Sequence, residues 1–339
     1  MKYQFNSDYN VLCHPRILQA IFNALNEQHL TYGNDLHSLH AKELIKKRFD
    51  LKDADIHFLS GGTMTNMVFI SSCLRHYEGV LSPETGHINV HETAAIEGQG
   101  YKIIQIPNEN GKIDKMSVEK TVAQFVDEHM VKPRLIYISD STEKGTIYKK
   151  KELEELYSYA KDHDLYLYID GARLGCALTS NENDIRPEDL PLLCDAFSIG
   201  GAKNGMLIGE ALVINNKALA KDFRFHIKNK GAMISKGFLL GIQYEEAFKD
   251  DLYFEMARHS NELGTYLKDG LARLRVDVMP SPTNQIFASF LVEKAKTIIK
   301  EYGCELWSNL GERLVIRFVT SFATKREDVD ELLDFIKSL

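Results

Sequence analysis

The chain has 339 residues, 44% of them hydrophobic and 26% charged, with a net charge of -7; this is ordinary globular composition, long enough for one large domain and a smaller one. The acidic balance lacks the cationic surplus that a phosphate backbone demands, so nucleic acid is excluded as the expected partner, and no run reaches the ~18 apolar residues of a membrane span. Five cysteines, Cys13, Cys73, Cys176, Cys194 and Cys304, are scattered and never form a CxxC pair, which argues against a disulfide framework or a zinc knuckle and for a reducing cytoplasm.

The first fifty residues contain a Pro-initiated helix over 15–30 and the turn signal "TYGND", and are expected to pack across both domains. From about 56 to 214, short β-rich runs alternate with amphipathic ones. Strands are expected at "IHFL" (56–59), "KIIQI" (102–106), "RLIYIS" (134–139), "LYLYID" (165–170), "DAFSI" (195–199) and "EALVI" (210–214). Helical spacing runs through "NMVFISSCLRHY" (66–77), "SVEKTVAQFVDEH" (117–129) and "KELEELYSYAKDH" (151–163). This alternation predicts an α/β domain, a mostly parallel mixed sheet flanked by helices on both faces. After about 215 the rhythm changes to long helices, then "NQIFASFLV" (284–292), "RLVIRFVT" (313–320) and a closing helix over 326–339, the pattern of a smaller C-terminal α+β domain. The expected division is 1–50, 51–240 and 241–339.

Three segments could carry chemistry. In "FLSGGTMTNMVF" (58–69) a strand passes through Gly61 and Gly62 into a helix opening at Thr63, which suits a phosphate or an ordinary glycine turn capped by threonine. "LYLYIDGARLG" (165–175) ends an apolar strand on Asp170, with Arg173 three positions on. Strand ends of an open sheet line the ligand crevice, but a turn-capping aspartate paired with Arg173 would read the same way. "DAFSIGGAKNG" (195–205) places Lys203 after the next strand, among small residues. An amine and a carboxylate on neighbouring strand ends, beside an anion site, are the parts a pyridoxal 5'-phosphate site needs. Lysine forms the Schiff base, a carboxylate keeps the pyridine nitrogen protonated, and amides and hydroxyls hold the phosphate.

"SD" near the start, "YGND", "GGTMTN", "HETAAIEGQG", "DGAR", "GGAKNG" and "IRFVT" occur in the order seen in threonine aldolases, and over nearly its whole length the chain resembles these enzymes of the β-eliminating lyase superfamily, of aspartate-aminotransferase fold. The resemblance implies Lys203 as the Schiff-base lysine, Asp170 as partner of the pyridine nitrogen, Gly62 and Thr63 at the phosphate, and Ser7, Arg173 and Arg317 at the substrate carboxylate. It implies a histidine over the cofactor face, for which His91, with Glu92 beside it, matches the flanking sequence, and His87 is the rival. His87 and His91 are four apart, a spacing that could hold a metal on a helix, but no third ligand follows at a convincing spacing and no metal is expected. His91, Glu92 and Glu143 remain open as the base or its water-holder.

Two departures stand out. Ile234 in "KGAMISKG" (230–237) replaces a phosphate-supporting arginine, with Lys236 as a substitute charge, and Ser141-Thr142-Glu143 replaces an Asn-Thr-His stretch. The implied activity is cleavage of a β-hydroxy-α-amino acid of the threonine or allo-threonine type to glycine and an aldehyde. The alternatives are β-elimination or transamination on another small amino acid, or a non-catalytic relative that binds the cofactor. Homodimers or homotetramers with shared active sites follow from the resemblance alone.

Overall fold

A computed structural model describes residues 2–339. Seven strands form the main sheet: β1 (Asp55–Leu59), β2 (Glu78–Pro83), β3 (Lys102–Ile106), β4 (Lys132–Ser139), β5 (Tyr166–Asp170), β6 (Ala196–Gly200) and β7 (Glu210–Ile214). Their spatial order is β1-β7-β6-β5-β4-β2-β3, and only β7 runs against its neighbours. Successive side chains enter opposite cores. Ile136 and Ile138 of β4 join one apolar cluster and Leu135 and Tyr137 the other, so both faces are dry and the strands read as continuous apolar runs. A second sheet, wholly antiparallel, is ordered β10 (Glu305–Asn309), β11 (Arg313–Val319), β9 (Gln285–Leu291) and β8 (Asp277–Val278).

The expected α/β architecture with a smaller C-terminal α+β part is present. The six expected strands of the main sheet are β1 and β3 to β7. The sequence reading missed β2, whose "EGVLSP" carries Gly79, Ser82 and Pro83 and no alternation, although all six residues are buried between β4 and β3. Two helices are shorter than their apolar spacing suggested. The first spans Pro15–Asn23, not 15–30: Ala24 leaves helical geometry and closes the last turn with its amide on the Ala20 and Ile21 carbonyls, and Leu25 and Leu30 beyond it stay exposed. The third expected helix spans Lys115–Val122: Asp114 and Ser117 form a reciprocal cap that sets its start, and Val126 beyond its end faces solvent.

Phe5 packs in the core of the small sheet, whereas Cys13, Ile17, Ala41, Ile45 and Phe49 pack in the large core. Tyr244, Phe248, Leu252 and Met256 belong to the large core and Leu267 and Leu271 to the small one. We therefore propose that the domain boundary falls inside the helix Leu252–Arg273, later than residue 241.

The turns after β5 and β6 touch through backbone. A Cβ on Gly200 would lie 2.1 Å from the Ala172 carbonyl oxygen, and one on Gly171 would lie 2.0 Å from the Ser198 carbonyl oxygen. Any side chain there forces two strand ends apart. Gly200→Ala is expected to cost about 3 kcal/mol or more, at the upper end of overpacking effects. Thermal unfolding should detect this against Gly98→Ala, where a Cβ meets nothing within 4 Å and stability should stay within about 1 kcal/mol of wild type.

Candidate active site

The carboxyl ends of the strands share one edge of the sheet. Leu59 at the end of β1 pairs with Glu210, which pairs with Gly200 at the end of β6, and Asp170 at the end of β5 pairs with Ser139 at the end of β4. Strand ends of an open α/β sheet form the ligand crevice, and here they border a cleft of about 490 Å³. Ser7, His87, His91, Glu143, Arg173, Lys203 and Arg317 line it, together with Glu305 and Trp307 of the small sheet.

Lys203 sits in a single helical turn, Ala202–Asn204, directly after β6. Burial lowers the pKa of its amine, and the Arg173 charge lowers it further, against the pull of Asp8, Asp170 and Glu210. Part of the amine population is thereby released from the proton that would block nucleophilic attack. Glu210, buried on the neighbouring strand, has its own carboxyl pKa pushed well above the ordinary range by burial, against the pull of the Lys203 charge.

Asp170 is the acceptor at the centre of a buried network. Its Oδ2 accepts from Asn66 Nδ2 at 2.8 Å and Tyr137 OH at 2.7 Å, and its Oδ1 accepts from the Ala172 amide at 3.0 Å. Asn66 also donates to Glu92 Oε1 at 2.8 Å, and the same oxygen pairs with His87 Nδ1 at 2.7 Å. The turn-capping part of the alternative reading of Asp170 is therefore present, but its pairing with Arg173 is not. Arg173 instead forms a fork with Asp8, Nε to Oδ2 at 2.7 Å and Nη2 to Oδ1 at 3.0 Å. Burial would raise the Asp8 pKa, yet Arg173, Lys203 and the Asn284 amide hold it below its ordinary value. The Asp8 pair orients Arg173 in the cleft wall and takes two of its donors.

Arg317 on β11 donates from Nη1 to Gln285 Oε1 at 3.0 Å and from Nη2 to Glu305, and its guanidinium lies over Trp307 at 5.3 Å. Its Nε is buried and has no hydrogen-bond partner among the described residues. An orphaned guanidinium donor in a cleft wall is what an anionic ligand would satisfy. Burial lowers the Arg317 pKa and so does the Arg173 charge, the mark of two cations facing one space.

The two histidines differ. His87, at the start of the helix His87–Val90, is tied to Glu92, and its amide donates to Glu143 Oε1 at 2.9 Å. His91 closes that helix, its ring 5.5 Å from that of His87, and its pKa is lowered by burial and by the His87 charge. Glu92 is fully enclosed, and Glu143 is committed to the Ser139 hydroxyl at 2.7 Å as well as to His87. At the end of β1, the helix Gly62–Cys73 begins at Gly61 with no side-chain cap, which leaves its first-turn amides open beside Thr63. Lys236 is exposed, and Ile234 lines a separate small cavity with Lys42 and Arg224, so neither lines the cleft.

Residues 4–293 match the family described as beta-eliminating lyase. The chain belongs to that family. The chain is 30% identical to the low specificity L-threonine aldolase of Pseudomonas aeruginosa over 97% of its own length and 95% of the relative's. It superposes on a solved threonine aldolase of Leishmania major with a TM-score of 0.97 at 40% identity, covering 99% of each chain. An aspartate aminotransferase of Thermus thermophilus shares its fold, at a TM-score of 0.76 and 15% identity over 100% of this chain and 92% of the other. Enzymes of this family and fold work with pyridoxal phosphate. The residues of the chain fit such a group: an amine with lowered pKa, a carboxylate held as acceptor by two donors and an uncapped helix start lie at strand ends of the main sheet, and an unsatisfied guanidinium of the small sheet lines the cleft beside the amine.

Of the residues singled out from the sequence, Ser7, His87, His91, Glu143, Arg173, Lys203 and Arg317 line one cleft, and Asp170 and Glu92 are buried in the Asn66 network. Gly62 and Thr63 open the helix after β1 and are not among the residues that line the cleft. Four others join them: Asn66 and Tyr137, which hold Asp170, Asp8, which holds Arg173, and Glu305, which holds Arg317. Asn66 was within the quoted motif "GGTMTN", but nothing local in the sequence says which carboxylate it meets. No helix of the described residues is long and apolar enough to cross a membrane.

Proposed function

We propose that this protein cleaves a β-hydroxy-α-amino acid of the threonine type to glycine and an aldehyde with pyridoxal phosphate. The observation that carries the reading is that Lys203 and the unsatisfied Arg317 line one cleft at the strand ends where Asp170 closes β5, in a chain whose near-full-length relatives are threonine aldolases. Bound pyridoxal phosphate supplies an electron sink for the pair released when the Cα–Cβ bond breaks.

Lys203 would attach it through Nζ, Asp170 would face the protonated ring nitrogen, and Gly62 and Thr63 would hold the phosphate. Asp170 suits that task because Asn66 and Tyr137 hold its carboxylate in place as an acceptor. Arg317 takes the substrate carboxylate through Nε, with Ser7 and the remaining donors of Arg173 beside it. Anchoring the carboxylate orients the side chain, and orientation decides which bond at Cα breaks.

For the face of the cofactor we propose His87 in place of His91, since the Glu92 contact fixes the His87 ring. That leaves His91 to receive the β-hydroxyl proton: it lines the cleft, and its lowered pKa favours the neutral ring, which has a nitrogen free to accept a proton. The exposed Leu12, Leu18, Phe22, Leu25 and Leu36 support self-association of the chain, and five free cysteines support a reducing compartment.

Products decide the reaction. Incubation with L-threonine and L-allo-threonine is expected to release glycine and acetaldehyde in equal amounts. Pyruvate or 2-oxobutyrate with ammonia from serine or threonine, and no glycine, would mean elimination and would refute aldol cleavage.

A further inference from the structure

Away from the cleft, the segment between the first helix and the helix Leu36–Arg48 folds against the helix Phe238–Lys249 and brings three histidines and two glutamates together. His37 Nε2 lies 2.9 Å from Glu27 Oε2, and His29 Nε2 lies 3.8 Å from that same oxygen. The donor atoms of Glu27, His29 and His37 are all within 4.8 Å of one another. His37 turns its other nitrogen, Nδ1, to Glu245 Oε2, while His40 Nδ1 holds the second Glu245 oxygen at 2.8 Å.

An ion pair would account for part of this. A protonated His37 between Glu27 and Glu245 satisfies that ring and both acids. It does nothing for His29, whose side chain is 7% exposed, packed on Phe238 at a ring separation of 4.5 Å, and whose Nε2 is buried without a hydrogen-bond partner. That nitrogen points at a carboxylate too distant to bond and too close to be unrelated.

We propose that Glu27, His29 and His37 form a site for a divalent transition-metal ion of the Zn2+ class. Metal bonds of about 2.0–2.2 Å in tetrahedral array set neighbouring donors about 3.3 Å apart, and the separations of 2.9 and 3.8 Å straddle that value. Two imidazoles and one carboxylate select a borderline transition metal over Ca2+ or Mg2+, which prefer all-oxygen shells. Glu245 on the far nitrogen of His37 is the outer carboxylate that fixes the ring tautomer and orientation of a metal-bound histidine. Glu27 is half exposed in the interhelical loop, so it can close on the ion, and the fourth position opens to water on its side. None of the five residues lines the cleft that holds Lys203. The ion fastens the N-terminal segment to the two helices and takes no part in turnover.

Chelator-stripped holoenzyme titrated with Zn2+ is expected to take up one tight equivalent per chain, and Co2+ to give the ligand-field bands of a four-coordinate site. His29→Ala and His37→Ala should weaken Zn2+ binding by at least about 100-fold with turnover unchanged, and Glu245→Gln by about 10- to 100-fold. X-ray absorption of the Zn2+-loaded wild type, which needs no variant to fold, should show two imidazoles with oxygen completing the shell. No stoichiometric uptake by the wild type, a shell without imidazole, or full affinity in folded His29→Ala would each overturn the site.

Discussion

Lys203→Ala is expected to lower kcat/KM for threonine cleavage by at least about 10³-fold and to leave the purified protein without the visible absorption of a lysine-bound cofactor. Gly200 and Gly171 let the two strand-end loops touch, which brings Lys203 and Asp170 to the same crevice. Burial and the Arg173 charge then push the amine toward its neutral, nucleophilic form. Alanine removes the only group in that position able to make and release a covalent bond to a carbonyl carbon. Lys203→Arg separates this role from mere charge: a guanidinium stays protonated and cannot attack, so it should be as inactive as alanine. More than a tenth of wild-type activity in either variant would contradict the assignment.

The second large effect is expected at Arg317. Truncating one partner of a buried charged pair costs about 2–5 kcal/mol, which corresponds to a loss of about 30-fold to several thousand-fold in kcat/KM for Arg317→Ala. Gln285, Glu305 and Trp307 hold the guanidinium before any substrate arrives, so little ordering remains to be done on binding. Arg317→Lys keeps the charge, but the ammonium has no planar fork and no Nε–H, and it should recover only a small part of the loss. Steady-state kinetics check this, with an internal control. A β-hydroxy amine that lacks the carboxylate should react slowly and almost equally with wild type and Arg317→Ala. An equal loss for both substrates would mean that Arg317 supports the fold and not the carboxylate.

Much of the site was legible because strand ends carry it. Asp170, Lys203 and the Gly62-Thr63 helix start each follow an apolar run whose end the sequence marks, and parallel topology turns three separate strand ends into one edge. What the sequence hid was lateral. Nothing local announces that Arg173 spends its fork on Asp8, 165 positions away, or that Asn66 joins Asp170 to Glu92 and His87. The fold was hidden at corresponding places. β2 lies between β4 and β3 with all six residues buried, and its glycine, serine and proline leave no alternation to read, and the helix after Pro15 closes on Ala24 although the apolar spacing continues. The Glu27, His29, His37 and Glu245 cluster escaped for the same reason, since its members come from a loop and two helices that only tertiary packing unites.

Borohydride reduction of the purified enzyme followed by peptide mass mapping tests whether Lys203 is the covalent anchor of a pyridoxal phosphate site. A single pyridoxyl adduct is expected, on the peptide that contains Lys203. An adduct confined to another lysine, such as Lys230 or Lys236, or no adduct on protein reconstituted with the cofactor, would contradict it.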